Sequence, residues 1–138
     1  MSEAMWINRY GPAIAAFHSG LLLLALYFGW VVIAGGSPVT PELYGPAVYA
    51  IPAIVWAGGQ TVGAGLSVLG AVIGGRWGGV SLILGSLVSI AFYGFLAAAA
   101  SLAAQGTLVQ GACMTLTTPG AVLSLIAGVG AVWDGNGR

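Results

Sequence analysis

Charge is nearly absent from this chain. Its 138 residues hold three cations (Arg9, Arg76 and Arg138), three acids (Glu3, Glu42 and Asp134), one histidine, one cysteine and no lysine. Nucleic-acid binding needs clustered cations to displace counterions, so it is not expected here. An electrostatic grip on anionic lipid fails for the same reason. Cys113 is alone, which excludes an intrachain disulfide, and no basic neighbour activates its thiol. One histidine, one cysteine and three separated carboxylates lack the parts of acid–base, nucleophilic or metal chemistry. The sequence therefore predicts no enzyme, no metal and no cofactor. Period-two alternation is also missing: runs such as Leu21-Leu22-Leu23-Leu24 and Ala97-Ala98-Ala99-Ala100 do not read as strands of a membrane barrel.

What the chain has in quantity is apolar surface. Hydrophobic residues make up 59% of it, and the mean hydropathy is +1.00. A hydrocarbon core about 30 Å thick takes roughly 20 apolar residues in helical form. Four stretches meet that length, at about 11–34, 46–75, 79–104 and 112–133. The predicted fold is an all-α integral membrane protein, a single domain over 1–138 with four transmembrane helices in an antiparallel bundle. The run after Arg9 is longer than a signal-peptide core and reads as a retained first span.

With four spans, Arg9, Arg76 and Arg138 fall on one side, and the opposite loops at about 35–45 and 105–111 hold no Lys or Arg. That is the positive-inside pattern, with both termini in the cytoplasm. Trp6, Tyr10, Trp77 and Trp133 would line the inner interface, and Tyr27, Trp30, Tyr44 and Tyr49 the outer one. The expected location is a bacterial or phage-encoded inner (cytoplasmic) membrane, with the lipid bilayer as the first partner.

Turn formers divide the spans. Residues 35–42 cannot continue a helix, Pro46 suits the start of helix two, and Gly74 to Gly79 reads as a short hairpin turn. The last helix starts either at Thr117-Thr118-Pro119 or near Gly111 with Pro119 as a kink. Helix two, about 28 residues long, must tilt or break at Pro52 or Gly58-Gly59. Tyr10-Gly11-Pro12-Ala13 and Tyr44-Gly45-Pro46-Ala47 repeat one opening, either an old helix duplication or two uses of an interface tyrosine before a Gly-Pro start.

Small residues recur every four positions at Gly59, Gly63, Ser67, Ala71, Gly75 and Gly79, with Gly70, Gly74 and Gly78 beside them. Ser81, Gly85 and Ser89 continue the pattern in helix three, and Gly120, Ser124 and Gly128 in helix four. Membrane helices associate by close backbone approach, which such glycine-zipper faces permit. They pack the four helices together, or their surplus drives self-association. Gln60 is the one amide deep in a span, with Thr61 beside it; the pair is either structural glue or the lining of a polar path. Single serines satisfy themselves on their own helix and alone mean little. His18, early in the first span, is either a neutral histidine bonded to a carbonyl or water, or a ligand to a cofactor whose second axial group a partner supplies.

Three functions fit. The first is a self-associating, holin-like pore or lesion former, although Asp134 to Arg138 lacks the charged tail usual in holins. The second is a structural or anchor subunit of a larger membrane complex. The third is a small transporter or channel lined by Gln60. The expected partners are therefore further copies of the chain or the other subunits of a complex.

Overall fold

The computed structural model describes residues 4–36, 51–100 and 120–133, with backbone alone for 4–10, 96, 99 and 100. All regular structure among them is helical: α1 (Ala4–Ile33), α2 (Ala53–Ile73), α3 (Gly75–Ala100) and α4 (Gly120–Trp133). Three helices are long and apolar enough to cross a membrane, at Gly11–Ile33, Ala53–Ile73 and Gly75–Phe95. A chain with three such helices reads as a membrane-embedded protein. The described part of α4 rises about 20 Å, short of a full hydrocarbon core. Both proposed starts for that helix, Gly111 and Thr117-Thr118-Pro119, lie outside the described residues, as do Pro46, Cys113 and the two long loops.

The helix boundaries differ from the sequence expectation in three places. Helix α1 begins at Ala4 and runs through Pro12, where the Gly-Pro pair had suggested a start. Helix α2 begins at Ala53, not near Pro46, with Pro52, one of the two expected break points, at its N-cap; it passes unbroken through the other, Gly58-Gly59. The expected turn from Gly74 to Gly79 contracts to a two-glycine reversal, so Arg76 and Trp77 lie in the first turn of α3. Gly74 and Gly75 take positive φ of 66° and 61°. The Gly74 N–H donates to the Gly70 carbonyl at 3.1 Å, and its own carbonyl accepts from the Gly78 N–H at 3.0 Å. One residue thus ends one helix and opens the next, in a conformation that a side chain would oppose. The C-terminus of α1 closes in the same economical way: Gly36 N–H donates to Val31 O and Gly35 N–H to Val32 O, a Schellman motif with Gly35 at φ 83°.

The four helices alternate in direction, and α2 packs most extensively on α3 and then on α1. Along α1 and α2, Ile14 meets Ala71, Leu21 meets the Ala64 cluster and Gly29 lies against Ala57, an antiparallel pairing. Backbones approach closely where small residues permit. A Cβ on Gly70 would stand 2.6 Å from the Gly78 carbonyl oxygen, and one on Gly78 would stand 2.6 Å from that of Gly70. Gly63 faces Ser89, and a Cβ on Gly79 or on Gly128 would stand 2.7 or 2.8 Å from the other's carbonyl oxygen. Gly59 is covered by the Phe92 ring and Gly120 by the Phe17 ring. Around this interior the surface is apolar, with Leu23, Trp30, Val62, Leu69, Leu84 and Ile126 all exposed. Trp77 and Trp133 share one end of the bundle, beside Arg76.

Candidate functional site

Ile14, Leu82 and Ala127 form one buried cluster with Ala71 packed against it, so all four helices meet there. The residue four past Ile14 on α1 is His18, and four past Leu82 on α3 is Ser86. Because α2 and α4 run the other way, the matching steps are Ala71 back to Ser67 and Ala127 back to Ser124. A step of three or four residues keeps the same helix face and rises about 5–6 Å. Each helix therefore sends one polar side chain into one layer, and His18, Ser67, Ser86 and Ser124 are all 0% exposed.

Two of the serines return to their own helix. Ser67 Oγ donates to the Gly63 carbonyl at 3.1 Å and Ser124 Oγ to the Gly120 carbonyl at 2.7 Å. His18 Nε2 lies 2.7 Å from Ser124 Oγ and joins α1 to α4 across 106 positions of sequence. Phe17 sets its ring edge-on to the imidazole, centroids 5.0 Å apart. The opposite ring nitrogen, His18 Nδ1, is buried with no hydrogen-bond partner, and so is Ser86 Oγ. Ser81 behaves differently again, donating across to the Leu66 carbonyl of α2 at 2.7 Å.

Beyond the layer, towards the Trp56 end, the interior stays partly polar. Ser89 is buried one turn further along α3, and Gln60 is buried two turns further along α2. Gln60 Oε1 is a third buried polar atom without a partner. Trp56 closes that end, its Nε1 donating to the Ile51 carbonyl at 3.2 Å and its ring packed on Phe92 and Phe95. On the other side the Ile14–Leu82–Ala127 cluster is wholly apolar.

The residues singled out from sequence thus separate. Gln60 and Ser67 point into the bundle. Thr61 is half-buried and donates to the Ala57 carbonyl of its own helix at 2.7 Å. Gly63, Gly70, Gly85 and Gly128 lie at interhelical contacts and Gly59 under Phe92, whereas Gly74 and Gly75 form the α2–α3 turn. Ala71 packs against the apolar cluster. His18 presents neither nitrogen to the outer surface, where a partner's cofactor would have to sit. Ser86 was missed as a site residue. Its signal was faint: it is a buried-face serine one helical turn from Leu82, and nothing in the spacing marks it as differing from Ser67. Among the described residues no three His, Cys, Asp or Glu stand close enough to hold a metal ion.

Comparison of the chain with protein-family models, with curated proteins and with solved structures returns no match.

Proposed function

We propose that this is a non-enzymatic membrane protein that carries a small hydrogen-bonding solute through the interior of its own bundle, as a small channel or transporter. The observation that carries the reading is the polar layer, with His18 Nδ1, Ser86 Oγ and Gln60 Oε1 buried and unpartnered. Leaving such a group unpaired costs about 1–3 kcal/mol each. An apolar residue at any of these positions would remove that cost, so the groups fit a bundle whose interior receives a polar visitor. The apolar Ile14–Leu82–Ala127 cluster would act as the closed point of the route.

A holin-like pore between copies would draw its wall from polar groups on the outer face of the bundle, and the burial of Gln60 and Ser67 supports the interior route over it. Reconstitution separates the two readings. Purified protein in liposomes should pass water or ammonia, read by light scattering or an internal pH dye, at a rate per chain that stays constant as lipid dilutes the protein. A rate per chain that collapses on dilution would indicate a self-assembled pore. No flux at any density would leave the anchor-subunit reading standing.

We also propose that the chain spans the membrane four times with both termini on the Arg76 side, in a cytoplasmic membrane. On α1 the rise from Arg9 to Trp30 is about 31 Å, close to the hydrocarbon thickness of about 30 Å. His18 would then sit about 13 Å above Arg9, near the midplane. Reporter fusions at the two ends should both give the cytoplasmic signal. A signal from the opposite compartment at either end would break the four-span topology.

A further inference from the structure

We infer that His18 and Ser86 together bind a small neutral hydrogen-bond donor, a water molecule or a hydride of similar size such as ammonia, in the layer where the four helices meet. This deepens the interior-route reading by naming what the layer takes, and for its role in transport it rests on that reading.

The hydrogen-bond network sets the polarity of the site. Ser124 has one hydroxyl hydrogen and two contacts of 2.7 Å, one to the Gly120 carbonyl and one to His18 Nε2. Both are hydrogen bonds only if Nε2 carries the ring hydrogen and donates it to Ser124 Oγ, while Ser124 donates its own to the carbonyl. The imidazole is then left with a lone pair at Nδ1, buried and unanswered. Ser86 supplies a second unanswered atom on the same level, because Ile14 and Leu82, one turn before His18 and Ser86, are in one cluster. A buried helical serine can bond the carbonyl four residues back, as Ser67 and Ser124 do. Ser86 does not, and its hydroxyl remains able to accept or donate. An aromatic nitrogen that accepts, on the same level as a hydroxyl that does either, offers two points of attachment to an X–H group.

Charge and size narrow the occupant. Among the described residues neither the layer nor the turns beside it hold an ionised side chain: the neighbours include Ile14, Leu21, Ala64, Ala71, Leu82 and Ala127. An unpaired ion there would cost far more than a neutral molecule. Gly85, next to Ser86, packs directly on Ser67, and a Cβ there would lie 2.6 Å from the Ser67 nitrogen. That contact closes the α2 side of the layer, and the unanswered His18 Nδ1 and Ser86 Oγ match an occupant of about one water, which needs two to four polar partners.

His18 is the one histidine of the chain, so ¹⁵N-histidine labelling yields a single pair of ring resonances. In the full chain reconstituted in bilayers, solid-state NMR should show Nε2 protonated and Nδ1 bare but hydrogen-bonded, with magnetisation passing from water to the ring. Ser86→Ala should weaken that transfer severalfold and leave the Nε2–Ser124 signature unchanged, which also reports that the variant is folded. Absent water transfer, a shift of the Nδ1 resonance on adding ammonia would identify the amine hydride as occupant and retain the site. A hydrogen on Nδ1, a transfer unchanged in Ser86→Ala, or no response to either probe would overturn the inference. Transfer to the ring without flux in liposomes would remove the transport reading and leave the site; flux without such contact would do the reverse.

Discussion

Leucine in place of Gly85 will separate α3 from α2 and destabilise the bundle by about 3 kcal/mol, the upper end of ordinary overpacking. A Cβ at this glycine would touch the Ser67 hydroxyl and stand 2.6 Å from the Ser67 nitrogen and 2.7 Å from the Gly63 carbonyl oxygen. Two of those three neighbours are backbone atoms, which cannot swing away as a side-chain end can. Ser67 is itself held to the Gly63 carbonyl, so the obstruction is tied to the helix behind it. The natural control is Gly94, also on α3, where a Cβ meets nothing within 4 Å. Leucine there should change stability by less than about 0.5 kcal/mol, as at an ordinary surface position. Thermal unfolding of both variants in detergent, followed by circular dichroism, checks the contrast. Equal stability would mean that the α2–α3 contact is not the tight joint of the bundle.

On the proposed interior-route reading, replacing His18 with leucine will remove most transport and leave the fold intact. Ser124 loses its contact with the imidazole but keeps the Gly120 carbonyl as acceptor, so no new buried donor is stranded. The unpartnered Nδ1 disappears with the ring, and a leucine fills a comparable volume among Phe17, Ile14 and Leu21. The melting temperature should therefore hold or rise. The proposed interior route, however, loses its one aromatic acceptor and becomes apolar across α1, and an apolar constriction excludes water. Flux per chain should fall about tenfold or more, equivalent to about 1.4 kcal/mol on the crossing barrier. Liposome flux and thermal unfolding on the same preparation separate the two effects. Flux at the wild-type level in a folded His18→Leu variant would show that solute does not pass the layer.

Much of this architecture was legible in the residues. The scarcity of charge, the apolar runs and the absence of alternation point to helices long and apolar enough to span a membrane, and the glycine pair at 74 and 75 marks a reversal between two of them. The small-residue row of α2 marks the face that meets α3, because a helix without side-chain bulk on one face can approach a neighbour closely. Legibility stopped at boundaries and at depth. Gly11-Pro12 read as a helix start although the backbone runs through it to Ala4. Gln60 and Ser67 read equally well as an outward lining or an inward one, since periodicity says which residues share a face and not what that face meets.

The sequence alone determined that the chain forms apolar helices joined by glycine turns, that their contacts are made by small residues, and that one histidine lies within the first of them. Those properties follow from composition and from spacing along a single helix. The tertiary structure decided the rest. It set His18, Ser67, Ser86 and Ser124 on one level, joined His18 to Ser124 across 106 positions, and left Ser86 without the backbone bond that its two sister serines make. Which turn of one helix stands opposite which turn of the next is fixed by interhelical packing, through the Ile14–Leu82–Ala127 cluster and close approaches such as Gly79 with Gly128. That register is a property of four helices fitted together, and spacing within any one of them does not contain it.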